Sequence, residues 1–144
     1  MSAADLGAGA ASEAADLEAF LEEWIRGDHE SDAALERFAA VLAEGFHIVP
    51  IPGYPVLDRA GLLDYMLQQR GTDPETVRWV ENVRIGYVGD GVVVAFYDEW
   101  QVRDGERKGS VISATFVEAP DAPNGVQFAH LHETPIDEAD DPAA

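Results

Sequence analysis

The hydrophobic positions fall into two regimes along the chain. Over residues 13–27 they recur at helical spacing. Leu17, Phe20, Leu21, Trp24 and Ile25 make one stripe, and Glu18, Glu22 and Glu23 take the watery side. Ser31 opens a second helical stretch as a cap and carries Leu35, Phe38, Val41 and Leu42 until Gly45. Asp58 caps a third, with Leu57 and Leu62 placed as a hydrophobic staple, Leu63, Met66 and Leu67 on its apolar side, and Gly71 as its stop. Between the second and third helices, residues 46–51 (FHIVPI) read as a short strand that Pro50 and Pro52 confine to a sheet edge.

From residue 77 the period drops to two. Strands are predicted at 77–88, 92–103, 107–118 and 126–134. Gly89-Asp90-Gly91 and Asp104-Gly105 make tight hairpins, and residues 120–125 (PDAPNG) a longer one. Short hairpins force antiparallel neighbours. The expected class is α+β: three N-terminal helices packed on a curved antiparallel sheet, in the order helix-helix-strand-helix and then a four-strand meander. Residues 1–12 read as a flexible lead-in, 13–135 as a single domain, and 136–144 as a loose acidic tail.

Alternation along the strands proposes a site. Val92, Val94, Phe96, Asp98, Trp100 and Val102 share a face that is apolar except for one carboxylate. Val77, Trp79, Glu81, Val83, Ile85 and Tyr87 do likewise, and Val126, Phe128, His130, His132 and Thr134 bring two imidazoles to one side. Turned toward the helices, these faces place an acid and two histidines in an apolar interior. There a carboxyl holds its proton to higher pH and an imidazole can exchange it. Asp98, His130 and His132 are therefore the candidate catalytic residues. Trp100, Phe96, Tyr54, Trp79, Glu81 and Phe128 are the candidate substrate-binding residues. The plainer alternatives are that the aromatics fill a core, that Tyr54 belongs to a rigid Pro-rich turn, and that Asp98 and the histidines are structural hydrogen-bonding groups. His130-x-His132 with Asp98, Glu81 or His47 also resembles a two-histidine, one-carboxylate metal set. The hydrogen-bonded pair is the preferred reading, and neither metal nor cofactor is expected.

Composition narrows the classes. The chain has 144 residues with 28 acidic and 9 basic, a net charge of −19, and no cysteine. Disulfide scaffolds, thiolate zinc sites and thiol nucleophiles are excluded. Such charge repels phosphate backbones and anionic lipid, so neither nucleic acid nor membrane is an expected partner. No apolar run approaches the ~20 residues of a membrane span. The first residues lack the basic cluster of a secretory signal, so a cytoplasmic location is expected. Lys108 is the only lysine beside eight arginines. This acid-rich, lysine-poor balance resembles cytoplasmic proteins of salt-in halophiles, and a GC-rich genome produces part of the same bias. No G-x-S-x-G, Walker or H-E-x-x-H motif occurs.

The element order, the segment FHIVPIPG leading into a capped third helix, and the closing strand VQFAHLHET together resemble the nuclear transport factor 2-like superfamily. This is the cystatin-like cone fold shared by ketosteroid isomerase, scytalone dehydratase, limonene epoxide hydrolase and SnoaL-like cyclases. The closing strand is similar to the W-x-I-x-H-x-H-x-S ending of SnoaL-like members, with Val126 in place of the tryptophan. Where ketosteroid isomerases place a base aspartate, this chain reads Val49-Pro50-Ile51. Asp98 corresponds at best to their second acid.

The resemblance implies a homodimer built through the sheet and a pocket for a small, largely apolar or carbonyl-bearing metabolite. Any chemistry would be cofactor-free proton transfer of isomerase, dehydratase or cyclase type. The alternative is a non-catalytic dimerisation or ligand-sensing module. In that case Val93, Ala95, Tyr97, Glu99 and Gln101 would form its outward docking side.

Overall fold

The computed structural model describes residues 1–143. The meander follows the predicted strands closely: β3 Val77–Gly89, β4 Val92–Arg103, β5 Glu106–Glu118 and β6 Val126–Pro135. Preceding them are β1 Leu42–Val49 and a two-residue β2, Leu57–Asp58. Among the described residues these six strands form one sheet in the order β2-β1-β6-β5-β4-β3. All neighbours are antiparallel except β1 and β6, which run parallel. The sheet is thus mixed, because the early strand returns to pair with the last one.

Helix α1 (Ala3–Arg26) lies across the sheet and ends at Gly27, whose φ of 90° closes the helix in the left-handed conformation. It begins ten residues before the predicted start. Ser2 and Asp5 form a capping box, and Leu6, Gly7 and Ala10 are buried. Residues 1–12 are therefore not a loose lead-in. The small side chains of this first half allow close approach: a Cβ at Gly9 would run into the Asn124 carbonyl of the β5–β6 loop. The second predicted helix is reduced to a 3-10 turn, Asp32–Leu35, and one helical turn, α2 (Glu36–Ala39). Val41 and Leu42, expected on its stripe, are buried, and Leu42 opens β1. Helix α3 (Arg59–Leu67) is capped by Asp58, whose carboxylate accepts from the Gly61 N–H at 2.8 Å. It packs on β1.

The core lies between α1 and one sheet face. Trp24, Phe46, Phe116 and Phe128 are at most 1% exposed, and the Phe116 and Phe128 rings pack at 4.4 Å. From β4 this face takes Val93, Ala95 and Tyr97, and from β5 Ile112, Ala114 and Phe116. The odd side of β4 is therefore the inner side. The two-residue Asp104-Gly105 turn pairs Arg103 with Glu106 and so sets Tyr97 opposite Ile112 and Ala95 opposite Ala114. In β6, Phe128 pairs with Phe116 and His130 with Thr115, leaving Ala129 as an extra residue. This bulge reverses the parity of the strand. Val126 and Phe128 point inward before it; after it the inward residue is Leu131, and His130 and His132 point outward.

The tail is not loose either. The Ile136 N–H donates to the Gly109 carbonyl, residues Glu138–Asp140 form a 3-10 turn, and Asp141 accepts from Arg107 Nε at 2.9 Å. Ala144 lies outside the described residues.

Candidate functional site

The inner face carries charge at the end of the sheet away from the Phe116–Phe128 core. Arg78 on β3 is the hub, with a side chain 11% exposed. Its Nε donates to Glu18 Oε2 of α1 at 2.9 Å, its Nη1 to Gln101 Oε1 at 2.8 Å, and its Nη2 to Glu99 Oε1 at 3.3 Å. The backbone N–H of Arg78 donates to Glu22 Oε1 at 2.9 Å. Glu133 on β6 and Tyr97 on β4 face the same cluster. A single guanidinium therefore serves three carboxylates, Glu18, Glu99 and Glu133, in a largely water-free setting.

Three negative charges cannot all be held beside one positive charge there. Burial pushes the Glu18 carboxyl well above its ordinary range, against the pull of Arg78. Burial, and then the Glu99 charge, push Glu133 up to about 7. Burial, reinforced by Glu99 and Glu18, also raises the Tyr97 phenol, so it stays protonated. For Arg78 burial alone would lower the pKa. Glu18 and Glu99 outweigh it, and the guanidinium is held protonated. The cluster can store and release a proton near neutrality, through Glu133, which is half-buried at its rim.

The residues predicted for catalysis lie elsewhere. Asp98, His130 and His132 sit on the outer face, and Asp98 accepts from Asn82 Nδ2 at 2.8 Å. Asn82, at φ 55°, forms part of an irregularity that bends β3. His130 has its ring 4.7 Å from that of His47 and 6.4 Å from that of His132. Burial, then His47 and His132, lower its pKa. Among the described residues, no group of three or more His, Cys, Asp or Glu could hold a metal ion.

Phe96 is also on the outer face, 37% exposed, its ring against Gly86 where a Cβ would not fit. Tyr54 is 63% exposed in its loop. Trp79 donates to Glu81 Oε1 at 3.0 Å and stacks with Trp100. Arg107 lies over both indoles, 5.1 and 4.3 Å from their centroids. Trp100 is outward yet 2% exposed, because Gly109 beside it leaves room for the ring and Arg107, tied to the tail, covers it. Phe128 does face inward, as core. The structure thus does not assemble the predicted set into one pocket. Val93, Ala95 and Tyr97, predicted as an outward docking side, are the buried face.

Two surface grooves, of about 330 Å³ and 370 Å³, lie apart from the acid cluster. One is lined by Ala40, Gln127 and the β5–β6 loop, the other by Phe20, His29 and Arg37 among others. Sequence reasoning missed Glu18, Arg78, Glu99 and Glu133. The turn-imposed pairing of β4 with β5 was the available signal. It sets the apolar run Ile112, Ala114, Phe116 opposite Tyr97, Ala95, Val93 and so brings Glu99 inward.

The fold is that of the nuclear transport factor 2-like, cystatin-like proteins. A protein of unknown function from Pseudomonas aeruginosa, described as nuclear transport factor 2-like, matches with a TM-score of 0.72 and 24% identity, over 81% of this chain and 90% of that one. A hexachlorocyclohexane dehydrochlorinase from Novosphingobium barchaimii matches at 0.56 and 17% identity, over 93% and 95%. An uncharacterised cystatin-like protein from Caulobacter vibrioides matches at 0.59 and 18%, over 77% and 84%. No curated protein matches significantly. Residues 10–137 match the model of the family described as sucrose-6-phosphate phosphohydrolase C-terminal, and the chain belongs to that family. No helix among the described residues is long and apolar enough to cross a membrane.

Proposed function

We propose that the chain handles a small carbonyl-bearing metabolite by cofactor-free proton transfer at the inner-face cluster, as a homodimer joined through the outer sheet face. The observation that carries this reading is the convergence of Glu18, Glu99 and Glu133 on Arg78, beside Tyr97, on the buried face of the sheet. Glu133 is the group that takes or gives the proton, since its carboxyl titrates near neutrality and reaches the rim. Arg78 acts as a positioning residue, holding Glu18 and Glu99 in place. The fold is one that a dehydrochlorinase also uses, which is compatible with this reading, and the residues alone carry the role. The family's description names a sucrose-6-phosphate phosphohydrolase. The cluster's one cation, Arg78, is already shared by Glu18 and Glu99, which makes it a poor partner for a phosphate ester and favours proton transfer over ester hydrolysis.

Deuterium exchange at the α-carbon of a panel of ketones and aldehydes tests the reading. Exchange should follow an ionisation near pH 7 and be lost in Glu133→Gln with the fold retained. Exchange in neither protein, with no panel member raising the melting temperature, would remove it.

A second reading, a non-catalytic dimerisation module, is favoured by the outer face. Phe96, Val111 and Tyr87 are 37%, 36% and 60% exposed there. Between them lie Val94, Ser113 and Thr115, and the patch ends at Asp98, opposite Val111 and held by Asn82. Two chains of −19 repel each other. A copy approaches most easily where acid is sparse, and the Val94, Phe96, Ser113, Thr115 patch between Asp98 and the histidines is such a place. Sedimentation equilibrium separates the two readings from a monomer. A dimer with no exchange activity leaves the module alone standing.

A further inference from the structure

We propose that the sheet-face dimer is governed by pH through the imidazoles of His47, His130 and His132, which together form a switch that opens the interface on mild acidification. This rests on the dimer reading above and adds its regulation.

The three rings stand in a row on the outer face. His47 pairs with His130 across the parallel β1–β6 ladder, and His132 follows two residues on, opposite Val49. Ser113 and Thr115 of β5 flank them, with Phe96 and Val94 of β4 beyond. Among charged groups around the row, β2 contributes Asp58, opposite His47, whose carboxylate is engaged in capping α3. Glu44 of β1 is exposed three residues before His47. From β4 comes Asp98, bonded to Asn82, and from β3 Glu81, bonded to Trp79, and Arg84, opposite Phe96. Among the described residues none of these makes a salt bridge to the row, and His47 Nδ1 meets the Gly45 carbonyl at 3.4 Å. The row is therefore neutral when deprotonated and gains up to three like charges at close quarters when protonated.

A second copy seated on this face would bury the row further against apolar side chains. Neutral imidazole tolerates that burial and imidazolium does not. The already depressed His130 shows the sign within one chain, with burial first and the two neighbouring histidines next. The dimer binds fewer protons than the free chains, so dissociation grows as the pH falls. The rest of the molecule pushes the other way. Acidification neutralises carboxylates and weakens repulsion between two chains of −19. Loosening at low pH can thus be traced to the histidines and not to the general charge.

Sedimentation equilibrium of the full chain at pH 7.5 and 5.5, at one high ionic strength, tests this beside the variant H47Q/H130Q/H132Q. Circular dichroism at both pH values checks the fold. The wild type should be dimeric at pH 7.5, with a dissociation constant at least ~10-fold weaker at pH 5.5. The variant should stay dimeric at both, as tight or tighter at 5.5. A wild-type dimer unchanged by pH overturns the switch and leaves the dimer. So does a variant that loosens like the wild type. A monomer at both pH values overturns the dimer reading and the switch with it.

Discussion

The two faces of the sheet carry opposite kinds of polarity. On the inner face the ionisable groups are buried and bound: Glu18, Glu99 and Arg78 hold one another under α1. On the outer face the distinctive groups are imidazoles only partly covered: His47, His130 and His132 among Phe96, Val94 and Val111. The same strands supply both. Polarity on the inner face is costly to remove because its partners are desolvated, whereas on the outer face water replaces whatever is taken away. One exception sharpens the contrast. Trp100 is on the outer face but is buried like a core residue, because Arg107 and the tail cover it.

The largest expected effect is on the inner face. Arg78→Met should leave Glu18 and Glu99 without their common cation and destabilise the fold by about 3–5 kcal/mol. Urea unfolding with an unchanged m-value measures it. Adding Glu18→Gln should recover part of the loss; a single variant within 1 kcal/mol of wild type would break the distinction between the faces. Next comes the exception. Trp100→Ala should cost about 3–4 kcal/mol, as a core aromatic does, and should expose the 136–143 segment to proteolysis. A loss below about 1 kcal/mol would mean that the tail gives no real cover.

Smaller again is the effect of Glu133. Its folded pKa, about 7, lies above that of an unfolded glutamate, and Glu18 is raised in the same direction. The folded state therefore binds more protons between about pH 5 and 7. Their contribution to stability is full below the unfolded pKa and is lost as pH rises through 7. Glu133→Gln should flatten this decline and be more stable than wild type at pH 8 by about 1–2 kcal/mol, read from melts across the pH range. A steeper decline in the variant would reverse the assigned sign. Smallest is Phe96→Ser on the outer face. Monomer stability should move by no more than about 0.5 kcal/mol. If the face is an interface, the dissociation constant should nonetheless weaken ~10-fold or more, a hot-spot effect.

Much of this architecture was legible along the chain. The period-two stretches and their Gly-rich turns placed the four meander strands, and Asp58 marked the start of α3, because both signals are local. The failures were of a different sort. Both sides of β4 are apolar enough to be core, so alternation alone could not choose between Asp98 and Glu99 for the interior. The β4–β5 pairing chooses Glu99, since it sets three inward apolar residues against three others. The bulge at Ala129 left no mark in the composition, yet it turned His130 and His132 outward while keeping Phe128 inward. Residues 1–12 looked mobile because they are small and glycine-containing. The sheet beneath them made smallness an advantage, with Ala10 fully buried.

The sequence by itself determined the elements, the turns that join them and a charge that limits what can approach, because each depends on near neighbours or on a simple sum. Only the tertiary structure decided which acids share the interior with Arg78 and which imidazoles are left on the outside. A strand has two faces, and the choice between them is made by what packs against it from far along the chain.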